Sequence, residues 1–211
     1  MKKYDLIREG KLFRIIALKD FGFIKKGELG GLIEKESNLS QKNECWIYEN
    51  AKVTGNAEVS GNAEVTGNAK VYGNAKVYST AYVSGNALVS GDARVTGNAE
   101  IYENAKVYGN ALVTGNAEVS GNAKVYGNAQ IIDNSKVTGN AKATKEVITF
   151  GNIFDYDITI TDNHIKIGCQ QYLKSRWLEF TNKEILEMGG KRALKFWGLF
   201  KPFAINRGFF N

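Results

Sequence analysis

From residue 45 onward the chain alternates apolar and polar positions with a period that never slips. Ala and Val stand two apart, a variable residue follows, Gly and Asn come next, and six residues on the pattern begins again. Sixteen such units run from Cys45 to Asn140 without an insertion, as in Ala57-Glu58-Val59-Ser60-Gly61-Asn62. Substitutions keep the pattern: Cys45 and Ser135 stand for Ala, and Ile47, Ile101 and Ile131 for Val. In an extended segment, residues two apart point to one side, so Ala and Val share a face and their neighbours point away. Gly-Asn reads as a corner, because both residues tolerate positive φ at low cost. One short strand and one corner cannot bury their own apolar face, so the units must coil around a shared interior. A small and a branched residue per strand predict a narrow, triangular core.

The flanks follow other rules. Residues 1–44 carry apolar clusters at Leu12, Phe13, Ile15, Ile16 and Leu18 and at Phe21, Phe23 and Ile24, which predict short strands capping the first coil. Residues 145–211 read first as strands: Val147–Phe150, then Asp157–Thr161 and His164–Ile167 around a turn at Asp162-Asn163. Thr181 and Glu184 have the spacing of a capping box, and Gly189-Gly190 would end that helix. A second helix is expected through Ala193, Leu194, Phe196, Trp197 and Phe200, stopping before Pro202. The aromatic set Trp177, Phe180, Phe196, Trp197, Phe200 and Phe203 is expected in the core. Three regions result: a cap (1–44), a coil (45–144) and an α+β extension (145–211).

The repeat resembles the left-handed parallel β-helix of the hexapeptide-repeat superfamily, which includes trimeric acyltransferases. The resemblance implies three units per coil, hence five coils and one further strand, the left hand and a homotrimer. The fold class expected is mainly β, with an N-terminal β cap and a C-terminal hairpin plus helices.

An eighteen-residue coil sorts the outward residues into columns. One face carries Lys52, Lys70, Leu88, Lys106, Lys124 and Lys142, with Tyr72, Tyr108 and Tyr126 beside them. A second carries Trp46, Glu64, Tyr82, Glu100, Glu118 and Lys136, and a third Glu58, Lys76, Arg94, Leu112 and Gln130. Lysines stacked on neighbouring rungs repel, which favours an acidic surface or an anion close by. Three readings of the Lys/Tyr columns compete. They are a solvated face, a subunit interface in which the lysine face meets acidic residues of another copy, or an anion or nucleic-acid site. The interface reading uses Glu64, Tyr82, Leu88, Glu100 and Glu118. The ligand reading uses the five lysines and three tyrosines, and DNA or RNA ranks below a small nucleotide-like anion.

Charge counting sharpens this. The formal charge of +6 suggests an anionic partner, yet residues 45–144 hold eight basic and eight acidic side chains. The excess lies in the flanks, ten against seven in each. No run of eighteen apolar residues exists, no signal-peptide h-region follows Met1, and two cysteines make no disulfide framework, so a cytoplasmic setting without membrane contact is expected.

Catalytic chemistry is thin. Acyltransferases of the resembling superfamily commonly place a histidine base on a coil, but residues 45–144 contain none, and His164 reads as structural. Cys45 and Cys169 read as separate buried thiols, no metal-ligand spacing occurs, and no cofactor is expected.

Beyond the repeat, Leu12–Phe21, Lys26-Gly27-Glu28-Leu29-Gly30-Gly31, Asn38-Leu39-Ser40, Cys45-Trp46-Ile47-Tyr48 and Trp177-Leu178-Glu179-Phe180 resemble uncharacterised phage and prophage proteins. That resemblance implies a small accessory protein in a bacterial host cell, and with no histidine in the coils the leading expectation is a non-enzymatic trimeric binding protein. It would serve counter-defence, sequestering a nucleotide-like anion or a host defence protein in intersubunit grooves. A structural assembly module and an acyltransferase using coenzyme A are the alternatives.

Overall fold

The computed structural model describes residues 2–153 and 156–210. Seventeen two-residue strands among them, from Trp46–Ile47 to Lys142–Ala143, step six residues at a time, one strand beyond the sixteen sequence units and just under six turns. They form three parallel sheets in which each residue pairs with the one eighteen positions on, as Lys106 does with Lys124. The ladder is uninterrupted: Lys106 N donates to Ala123 O at 2.9 Å and Tyr108 N to Val125 O at 2.9 Å. The Ala and Val positions point inward and are buried throughout, so the core is a column two side chains per strand thick.

At the corners, the glycine takes positive φ and the asparagine does not. The corner expected at Gly-Asn is therefore present, but only the glycine uses the positive φ that both residues tolerate. The asparagine serves a different purpose: its side-chain amide donates to the asparagine one coil on. Asn86 reaches Asn104 at 3.2 Å, Asn98 reaches Asn116 at 3.0 Å, and Asn116 reaches Asn134 at 3.1 Å. Glu49, Ser79, Glu103 and Asp133 occupy glycine positions at φ of 52–64°.

At the N-terminal end, β1 (Tyr4–Glu9) and β2 (Leu12–Ala17) form an antiparallel hairpin. Then β3 (Leu29–Ile33) joins the coil in parallel with Lys52–Val53. Gly30 and Gly31 make that junction possible, since a side-chain carbon there would stand 2.5 Å from Ile47 O and 2.4 Å from Ile47 Cγ2 respectively. The open end of the coil is plugged by polar groups with partners. The Lys3 ammonium donates to Cys45 O at 2.8 Å, and the Tyr4 hydroxyl to Leu39 O at 2.6 Å. Trp46, expected to point outward, is fully buried because Tyr4 and Phe21 pack edge-on against it.

At the other end, four antiparallel strands (Ile148–Ile153, Tyr156–Ile160, His164–Ile167 and Gln170–Leu173) form a sheet. Its Ile158, Ile165 and Ile167 pack against α1 (Lys174–Glu179) and α2 (Asn182–Asn206). The capping box is present, with Glu184 N donating to Thr181 Oγ1 at 3.3 Å, and the backbone leaves helical geometry at Gly189 and Gly190. Three expectations need correction. The helix continues through Pro202 because buried Phe200 and Ala204 on either side hold it to the sheet. Phe203 is 41% exposed, since it packs only at the edge of the aromatic cluster, against Phe150 and Phe209. Cys169 is exposed, since it occupies the turn between two strands, whereas Cys45 is buried. Among the described residues no helix is long and apolar enough to cross a membrane.

Corner geometry yields a prediction. At Gly97, φ is 69° and a side-chain carbon would stand 2.8 Å from Gly115 O. Gly97→Val should therefore cost at least the left-handed penalty of about 1–2 kcal/mol and lower the melting temperature. Asp133→Gly, at φ 56°, relieves that penalty and should hold or raise it. Equal shifts in thermal unfolding would contradict the corner argument.

Candidate functional site

The ladder fixes the outward columns because each backbone register fixes its side chains. Lys52, Lys70, Leu88, Lys106, Lys124 and Lys142 stand in successive rungs of one nine-stranded sheet. The five lysines are exposed and Leu88 is half-buried. In the neighbouring column the order is Thr54, Tyr72, Ser90, Tyr108, Tyr126 and Thr144. Tyr108 and Tyr126 stack with ring centroids 5.0 Å apart and planes 4° from parallel. Burial, then the neighbouring Tyr126, raises the Tyr108 phenol above its ordinary range.

The structure divides the expected site. Lys106, Lys124, Lys142, Tyr108 and Tyr126 form one continuous patch. Lys52, Lys70 and Tyr72 form another. Between them lies one rung carrying Leu88 and the buried Ser90. Lys142 closes the lower patch: its N–H donates to Asn163 Oδ1 at 2.8 Å, and its carbonyl accepts from Asp162 N at 3.0 Å.

The acidic column is equally in register, with Glu64, Tyr82, Glu100 and Glu118 on successive rungs. Its upper part lines a cleft of about 430 Å³ with Phe21, Phe23, Glu44 and Tyr48. Phe23 is 94% exposed there. Burial, with Glu64 adding to it, pushes the Tyr48 phenol up to about 12. The lower part of the column differs, because Lys136 on the next rung pairs with Glu118. There the coil meets the C-terminal sheet in a second cleft, lined also by Asp157, Thr159 and Lys166. Sequence reasoning missed this second cleft. Strand His164–Ile167 shows the alternation that aims Lys166 away from its own core, but only the tertiary fold tells what it faces.

The repeat has counterparts. The family model of the YdcK β-solenoid repeat matches residues 105–121, close to one coil of the tyrosine-stacked patch. The uncharacterized acetyltransferase YdcK of Escherichia coli (strain K12) is 35% identical over 63 residues, covering 23% of this chain and 19% of that protein. The chain thus spans about a fifth of the length of the curated relative it matches. These likenesses support the solenoid and give the phage-type resemblance of the flanks no support.

The raised Tyr48 pKa sets a pH dependence. An unfolded tyrosine ionises near 10.0, while folded Tyr48 keeps its proton to about 12. The stability this contributes is complete below pH 10 and is lost as pH rises towards 12. Tyr4 shifts in the same direction, through burial. Alkaline unfolding followed by tyrosinate absorbance should be shallower in Tyr48→Phe than in the parent protein. An unchanged profile would remove Tyr48 from the account.

Proposed function

We propose that this chain is a non-enzymatic binding protein whose lysine–tyrosine face holds a nucleotide-like anion. One observation carries the reading: the lysine and tyrosine columns are interrupted at the same rung. Tyr72 and Tyr108 flank Ser90, while Lys70 and Lys106 flank Leu88. Two rungs separate the tyrosine rows by about 9.5 Å. A planar ring between two surfaces needs about 3.5 Å on each side, about 7 Å in all, so the rung of Leu88 and Ser90 admits one ring with about 2.5 Å to spare. Leu88 offers an apolar edge, and Lys70 and Lys106 offer ammonium groups to phosphate. Stacking and charge together are how sequence-tolerant sites hold nucleotides.

The same face supports a homotrimer. Lysines and carboxylates recur at one rung spacing on different faces, so the lysine column of one copy can meet Glu64 and Glu100 of the next in a contact that closes into a ring, while Glu118 is held by Lys136 of its own chain. Ligands would then lie in the grooves between copies. An acidic host protein is the other occupant this chemistry admits. The counter-defence role in a bacterial host rests on the flank resemblance alone.

Acetyl transfer is a second reading, supported by the likeness to the uncharacterized acetyltransferase YdcK of E. coli. It needs a proton acceptor near neutral pKa, and the coils hold no histidine. A purely structural assembly module is the third, and would bind neither nucleotides nor coenzyme A.

Ser90→Tyr fills the slot with a residue the repeat itself uses at Tyr72, Tyr108 and Tyr126. Calorimetry against a nucleotide panel should show binding to the parent protein and a loss of about tenfold or more in Ser90→Tyr, as expected when one stacked base is displaced. Native mass spectrometry should show a trimer that Lys106→Glu with Lys124→Glu weakens. A protein that ignores the panel yet binds coenzyme A would replace this reading with the second.

A further inference from the structure

The cleft of about 660 Å³ between the last coils and the C-terminal sheet has a chemistry of its own. Its coil wall presents Glu118 and Lys136, joined as an ion pair. Its other wall is the outer side of the sheet. In His164–Ile167 the buried residues are Ile165 and Ile167, which face the helices, so Lys166 faces the coil. Thr159 pairs across the sheet with Lys166, and Asp157 lies on the same strand as Thr159.

Lys166 stands apart from the other charges here. It is half-buried and takes part in none of the ion pairs given for the described residues. Burial, and then Lys136 beside it, pushes its ammonium below the ordinary lysine range. Glu118 opposes this shift only in part and is already paired with Lys136, so a partly desolvated cation that shares its carboxylate with a second cation gains from an anion in the cleft. Glu118 and Asp157 exclude a ligand that is anionic throughout. Carboxylates accept hydrogen bonds, so they suit the hydroxyl groups of a polyol. The cleft volume falls in the range of small-molecule sites, about 300–1,000 Å³.

We propose that this cleft binds a small phosphorylated polyol of sugar-phosphate type, with its phosphate on Lys166 and Lys136 and its hydroxyls on Glu118 and Asp157. The site is separate from the lysine–tyrosine face and stands or falls independently of it.

The test is calorimetry on the full chain with three probes: glucose 6-phosphate, glucose and inorganic phosphate. Glucose 6-phosphate should bind more tightly than either fragment. Lys166→Met keeps the volume of the stem and removes the charge, and should weaken binding about tenfold or more, the size expected for a charged hydrogen bond. Lys166→Arg should largely restore it. Ser90→Tyr and Lys106→Glu should leave it unchanged, which separates this site from the nucleotide slot. No binding of glucose 6-phosphate, or equal affinity in the parent and Lys166→Met, would overturn the proposal. Equal affinity for inorganic phosphate and glucose 6-phosphate would overturn the sugar-phosphate assignment.

Discussion

Backbone hydrogen bonds between successive coils are what everything else in this molecule hangs from. Each rung donates to and accepts from the rung eighteen residues away, and the register never shifts between Trp46 and Ala143. The ladder persists because the interior tolerates only a small and a branched residue at each strand, so a slip of one residue would turn every valine towards water. Packing and hydrogen bonding therefore enforce one another. The outward residues are left free in identity and fixed in place. That is the condition for building a surface from columns, and both the lysine–tyrosine face and the acidic face are products of it.

The solenoid was almost wholly legible in the sequence, since its period is local and each unit repeats the same physical problem. The columns were legible too, once the coil length was taken from the resembling superfamily. The side-chain role of asparagine was missed, because it is visible only between coils: the amide of Asn98 meets that of Asn116, eighteen residues distant. Trp46 was misplaced for a related reason. Its unit obeys the repeat, but Phe21 and Tyr4 arrive from the cap and cover it. In the C-terminal region, helix signals were read correctly at Thr181 and Gly189-Gly190 and wrongly at Pro202. Proline's local preference was outweighed there by burial of the aromatic residues around it.

The two candidate sites differ in how they are made. The slot at Leu88 and Ser90 is a departure from a regular pattern, an omitted tyrosine and an omitted lysine on one rung. Lys166 belongs to no pattern, and only docking of the extension against the coil places it in a cleft. A chain assembled from a repeat and two unrelated ends thus presents candidate surfaces of both kinds: periodic along the coil, and singular where the coil gives way to the extension.

The eighteen-residue register also makes the molecule a counter. A duplication of eighteen residues would lengthen the rod by about 4.8 Å and leave every column aligned. A duplication of six would keep the core intact yet turn all that follows by one face, setting the C-terminal sheet over different side chains. The corner-to-corner period that folds the chain is thus three times shorter than the period that preserves its surfaces. Length can drift by single units without harm to the interior, but the joint between coil and extension keeps its chemistry only through whole turns.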